Sequence, residues 1–113
     1  MKKDQYLFNA TVTYVVDGDT VDAMVDLGFQ VQYKVRLRLY GIDTMELRDS
    51  DPVKREHAKR AKARMQELLQ DREVTLETFK TDKYGRYLAV IYLSDQNINE
   101  QLITEGLAVT YPK

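Results

Sequence analysis

The sequence predicts a β-rich α+β fold, a five-stranded barrel carrying two helices. Three observations point there. Segments rich in β-branched and aromatic residues occur three times before a helical stretch and twice after it. The helical stretch repeats apolar residues at three- and four-residue spacing. A second, shorter helical segment closes the order. Three strands, a helix, two strands and a closing helix is the order of an OB-fold, the five-stranded Greek-key barrel.

The elements follow in sequence. Leu7 to Val16 reads as the first strand, and Asp17-Gly18 supplies a tight turn. Thr20 to Leu27 alternates as the second strand, ended by Gly28. In the third, Gln32 to Tyr40, Val35, Leu37 and Leu39 share one face, while Lys34, Arg36, Arg38 and Tyr40 share the other. A polar loop spans Gly41 to Asp51. Pro52 suits the first turn of a helix capped by Asp51, and Ala58, Ala61, Met65, Leu68 and Leu69 form its apolar stripe as far as about Gln70. Glu73 to Phe79 and Tyr87 to Leu93 are the last two strands. Asn97 to Glu105 reads as a short helix stopped by Gly106.

A chain of 113 residues suits a single domain, 1–113. Its hydrophobic fraction of 43% and charged fraction of 31% argue against disorder. No apolar run approaches a membrane span, so no membrane partner is expected. The opening Met1-Lys-Lys-Asp-Gln-Tyr-Leu-Phe lacks the apolar core of a signal peptide, so a cytoplasmic protein is expected, with secretion as the alternative. The absence of cysteine excludes disulfides, thiolate zinc sites and cysteine nucleophiles. A net charge of −1 excludes a generally basic surface; binding to nucleic acid must then rest on local patches or on a metal.

Three motifs carry chemistry, and each has two readings. Asp17-Gly-Asp-Thr20 is either a plain hairpin turn or a turn that aims the Asp19 carboxylate at a hard cation. Arg38-Leu-Tyr-Gly-Ile-Asp43-Thr44-Met-Glu46 is either a charged strand end with a local side-chain turn or a hydrolytic cluster. In the second case it combines an acidic ligand, an arginine for charge growing on phosphate, and a carboxylate able to take a proton from water. Asp82-Lys-Tyr-Gly-Arg86 is either a solvated charged hairpin loop or a phosphate contact, with Arg86 forming a bidentate bond and Tyr84 stacking on a base.

Together, Asp-Gly-Asp-Thr, Arg-(four residues)-Asp-Thr-x-Glu and Asp-Lys-Tyr-Gly-Arg resemble the staphylococcal nuclease (thermonuclease) family in content, order and separation. The likeness extends from about Ala10 to Tyr111. It implies a calcium-dependent endonuclease that hydrolyses DNA and RNA with little base specificity and leaves 3′-phosphate ends. It further implies that Asp19 and Asp43 bind Ca2+ through carboxylates and Thr44 through its backbone carbonyl. By the same resemblance Glu46 acts on the attacking water, and Arg38 and Arg86 bind the scissile phosphate. Lys83 and Tyr84 match substrate-contacting positions, and Tyr111 an aromatic that packs on the base. The alternative is a weakly active or inactive module that binds nucleic acid or a protein ligand. Arg36 shares the strand face of Arg38 but lies outside the motif, and so serves as an internal control.

Two departures stand out. Met45 replaces the proline usual in the family, which predicts a looser Glu46 and lower activity. The chain ends at Tyr111-Pro112-Lys113 where family members continue into another helix; an apolar patch buried by a second subunit, a homo-oligomer, is the corresponding expectation. Elsewhere, His57, the only histidine, is expected at a solvated helix position. The basic run Lys54 to Arg64 reads as a solvated face or, alternatively, as a guide for a nucleic-acid backbone. The eight tyrosines are expected mainly to support the sheet.

Overall fold

The computed structural model describes residues 6–79 and 86–111. Strands β1 (Tyr6–Asp17), β2 (Thr20–Asp26) and β3 (Gln32–Leu39) form an antiparallel meander. After the short β4 (Ile42–Asp43), helix α1 (Pro52–Leu69) leads to β5 (Glu73–Thr78) and β6 (Tyr87–Leu93). A two-residue turn at Ser94-Asp95 returns the chain as β7 (Gln96–Asn97), followed by α2 (Ile98–Thr104) and β8 (Val109–Thr110).

β1 is long enough to serve two neighbours. It pairs with β5 from Tyr6 to Thr11 and with β2 from Asn9 to Asp17, bending at irregularities between Val12 and Tyr14 and between Val15 and Asp17. β6 pairs antiparallel with β5 and parallel with β3, so β3, β2, β1, β5 and β6 close on themselves. The barrel is therefore the OB-fold that the element order predicts. Closure hides both edges and packs Val12, Val21, Leu37, Leu76 and Ile91 inside, with Met65 and Leu69 of α1 and Leu102 of α2 completing the core.

Local signals explain the helices. Asp51 caps α1 by accepting from the Val53 N–H at 2.9 Å, one residue ahead of Pro52. Ala58, Ala61, Met65 and Leu69 are buried as the stripe predicts, with Leu68 at its margin. Asn97 caps α2, and Gly106, at φ +77°, stops it in a backbone conformation that side chains disfavour. Asn99 ties α2 to the barrel. Its amide donates to the Tyr40 and Ala89 carbonyls at 2.8 and 3.1 Å, and its oxygen accepts from the Ile91 N–H.

The expected loop Gly41–Asp51 is more ordered than its composition suggests. Ile42 and Asp43 pair with Thr110 and Val109, forming a ribbon that fastens the β3 end to the segment after α2. Two-residue pairings between distant segments leave no periodicity in a sequence. Among the described residues, no helix is long and apolar enough to cross a membrane.

Candidate active site

The site is built on the tight turn between β1 and β2. Asp17 pairs with Thr20, leaving Gly18 and Asp19 as the turn residues, and the Asp17 carboxylate accepts from the Asp19 N–H at 3.1 Å. Gly18 is needed here for space. Its φ is not left-handed, but a Cβ would meet that of Ala61 at 2.7 Å and the Thr44 side chain at 3.0 Å. The turn is thus wedged between α1 and the residue after Asp43.

Arg38 stands beside this turn because β3 pairs it with Thr20. Although on the polar face of its strand, it is 7% exposed. Its Nη2 donates to Asp43 Oδ1 at 3.1 Å, and its Nη1 lies 2.8 Å from Asp19 Oδ2. That second contact is an ion pair off the hydrogen-bond axis, so Nη1 keeps no well-directed acceptor among the described residues. Tyr111, held by its N–H to the Gly41 carbonyl, places its ring 5.8 Å from the guanidinium carbon. Arg36, two residues away, is instead engaged on the surface by both carboxylate oxygens of Asp22, at 2.7 and 3.1 Å.

Asp19 is 8% exposed and well supplied with donors: the Thr44 N–H reaches its Oδ2 at 3.1 Å and the Thr20 hydroxyl its Oδ1 at 3.0 Å. Burial opposes its ionisation. The hydrogen bond from Asp17, the Arg38 charge and the two donors outweigh burial and hold the carboxyl below its ordinary value. Asp17 responds in the opposite sense. Burial, then the adjacent Asp19 carboxylate, push it up to about 6. Asp43 is also raised, by burial first and by Asp19, against the pull of Arg38. Two carboxylates therefore share one guanidinium, and Asp17, beside Asp19, is the acidic neighbour that motif reading missed. Its place within Asp-Gly-Asp was the available signal.

The donor set fits a hard cation. Asp19 and Asp43 converge on Arg38 with the carboxylate oxygens a hard cation takes, and Thr44, whose N–H binds Asp19, would be placed to add its carbonyl. Among the described residues, no three acidic, histidine or cysteine side chains form a complete cage, so water would supply the remaining ligands. Glu46 lies three residues beyond Asp43, exposed, with no side-chain partner among the described residues. Arg86 is exposed and immediately precedes Tyr87, the register partner of Leu37, which brings its backbone beside Arg38's strand. Lys83 and Tyr84 lie outside the described residues.

His57 departs from the solvated position expected of it. Its Nε2–H donates to the Gly106 carbonyl at 3.1 Å, while Nδ1 is buried without a partner among the described residues. It borders a cavity of ≈ 150 Å³ shared with Thr44, Met45 and Leu107. A larger concavity of ≈ 520 Å³ lies on the outer sheet face near Met24, Asp26 and Glu73, toward the opposite end of β2 from Thr20; it has no part in this cluster.

An OB-fold barrel with acidic side chains gathered around a buried arginine at a strand end is the class of domain that fold and site define. Residues 36–113 match the family described as staphylococcal nuclease homologue. The chain is similar to thermonuclease of Staphylococcus intermedius, 38% identical over 100 residues, covering 86% of this chain and 56% of the relative. It is similar to Endonuclease YncB of Bacillus subtilis (strain 168), 31% identical over 110 residues, covering 95% and 50%. Micrococcal nuclease of Shigella flexneri is 31% identical over 113 residues, covering 92% and 59%. The chain belongs to the staphylococcal nuclease family, and it spans about half to three-fifths of the length of these relatives.

Proposed function

We propose that this domain is a calcium-dependent endonuclease that hydrolyses phosphodiester bonds in DNA and RNA with little base specificity, leaving 3′-phosphate ends. The observation that carries the reading is the buried Arg38 between Asp19 and Asp43, in a family whose relatives bear nuclease names. Asp19, Asp43 and the Thr44 carbonyl would hold the cation. Calcium, when bound, supplies positive charge against phosphate oxygens. Arg38 and Arg86 bind the scissile phosphate and oppose the negative charge that grows on it. Glu46 takes a proton from the attacking water, and its exposure leaves it open to solvent and substrate. The bond from phosphorus to the 5′ oxygen breaks, and that oxygen leaves with a proton. Guanidinium groups read phosphate and not base edges, which supports broad specificity.

A second reading, a module that binds nucleic acid with weak or no cleavage, is favoured by one observation: no described side chain aims Glu46. One experiment separates the two. Single-stranded DNA and RNA are incubated with the protein in calcium or chelator, beside Arg38→Ala, Glu46→Ala and Arg86→Ala. The nuclease reading expects calcium-dependent cleavage, a loss on the order of 10²–10³ in each variant, and product ends that a polymerase extends only after phosphatase treatment. Binding without cleavage establishes the second reading; cleavage undiminished in chelator overturns the metal assignment.

A further inference from the structure

Helix α1 concentrates positive charge in an otherwise slightly acidic chain. It carries six cations, Lys54, Arg55, Lys59, Arg60, Lys62 and Arg64, against two carboxylates, Glu56 and Glu67, whereas the whole chain has a net charge of −1. Five of the cations divide between two flanks. His57, Arg60 and Arg64 follow the spacing i, i+3, i+7 on the flank toward α2, where His57 donates to Gly106 and Arg64 makes a two-pronged bond to Glu105 at 2.8 and 3.0 Å. Arg55, Lys59 and Lys62 follow i, i+4, i+7 on the other flank.

This second stripe is continuous with the candidate active site. At one end Arg55 donates to the Asp49 and Ser50 carbonyls, so it grips the loop that carries Glu46. At the other, Lys62 holds its amine 5.9 Å from the ring centre of Tyr14 on β1, a residue that is 51% exposed. Ala61, next to Lys62, is the residue against which Gly18 packs beneath Asp19. Among the described residues, Lys59 and Lys62 have no carboxylate partner.

We propose that the Lys59–Lys62 flank of α1 and the exposed Tyr14 ring form an accessory track for single-stranded nucleic acid, with the lysines on backbone phosphates and Tyr14 stacking on a base. A regularly charged, sequence-tolerant polymer suits this surface: cations at turn spacing meet repeating phosphates, and an aromatic face accepts any base. The track rests on the proposed nuclease reading and extends it, because it engages the strand outside the cleaved linkage. It selects polymer over short substrate.

The test measures binding of a fluorescent single-stranded oligonucleotide by anisotropy across a salt series, in chelator so that cleavage does not compete. Each phosphate contact contributes about 0.7 to the slope of log affinity against log salt for single strands. Lys59→Gln/Lys62→Gln is therefore expected to flatten the slope by about 1.4. Tyr14→Ala is expected to weaken binding by about five-fold or more with the slope unchanged. Arg60→Gln, on the α2 flank, leaves both unchanged. In calcium, the double variant raises KM for a long strand and leaves cleavage of a dinucleotide as in the parent. An unchanged salt slope in the double variant overturns the track, as does a parent protein that binds no strand. A parent that binds with the expected slope changes but never cleaves overturns the nuclease reading alone.

Discussion

Gly18→Ala tests how the turn that carries Asp19 is held. The added methyl would sit 2.7 Å from the Ala61 Cβ, 3.0 Å from the Thr44 Cγ2 and 3.1 Å from its hydroxyl oxygen. Carbon atoms in contact prefer about 3.5–4.0 Å, so the overlap with Ala61 is about an ångström. Thr44 has a rotatable side chain and can give way. Ala61 is a buried helix residue whose Cβ moves only with its backbone. Overpacking of this kind costs about 1–3 kcal/mol, roughly 4–12 °C in Tm for a domain of this size.

The decisive assay is a double-mutant cycle in urea. Ala61→Gly alone costs about 1 kcal/mol through helix propensity, but it removes the atom that the new methyl meets. If steric overlap is the cause, Gly18→Ala/Ala61→Gly loses less than the two single losses combined, by at least about 1 kcal/mol. Losses that add within about 0.3–0.5 kcal/mol would refute the packing argument, and a backbone requirement at Gly18 would have to replace it.

Arg38→Ala is expected to destabilise the fold by about 3–5 kcal/mol, since it strands the buried Asp19 without its cation, whereas Arg36→Ala, which frees a surface aspartate, costs about 1 kcal/mol or less; urea unfolding of both checks the contrast. Asp17 has a folded pKa raised to about 6 from 3.8, so the stability it contributes is full below about 4 and is lost as pH rises through about 6. Asp17→Asn, which can retain the acceptor for the Asp19 N–H, should remove that decline in a Tm profile from pH 4 to 8; an unaltered profile would count against the assignment. His57→Leu breaks the bond to Gly106 and should increase hydrogen exchange across Gly106–Thr110 more than it lowers global stability, while His57→Gln, which can still donate, restores protection. Equal exchange in Leu and Gln variants would deny His57 that anchoring role.

Periodicity and capping made most of the barrel legible. β6 begins and ends at Tyr87 and Leu93 as read, and Asp51-Pro52 announced the start of α1, because these signals depend on neighbours in sequence. The β4–β8 ribbon was not legible, since its stability comes from a partner more than sixty residues away. Alternation correctly put Arg38 opposite Leu37 and Leu39, yet it could not show that Asp43 and Tyr111 cover that outer face. His57 sits on a helix flank whose composition looks solvated, and only the approach of Gly106 reveals its bond. The Asp17-Gly18 pair announced a turn correctly but could not show that Gly18 is wedged against Ala61, because that packing depends on tertiary distance alone.

The arrangement around Arg38 also links stability to the proposed chemistry. Asp19 and Asp43 pair with a single guanidinium and Asp17 adjoins Asp19; Asp17 is raised by burial and by Asp19, and Asp43 by burial and by Asp19 even with the Arg38 charge beside it. One arginine therefore leaves negative charge uncompensated, and a proton on Asp17 relieves part of it at mildly acidic pH. A divalent cation held by Asp19 and Asp43 would relieve the rest and favour the ionised forms of these carboxylates. Calcium and protons should then compete, so calcium is expected to raise Tm more at pH 7.5 than at pH 5. In Asp17→Asn the crowding is already reduced, and the calcium increment at pH 7.5 should shrink while persisting through Asp19 and Asp43. An increment independent of both pH and Asp17 would mean that calcium stabilises the protein somewhere other than this cluster.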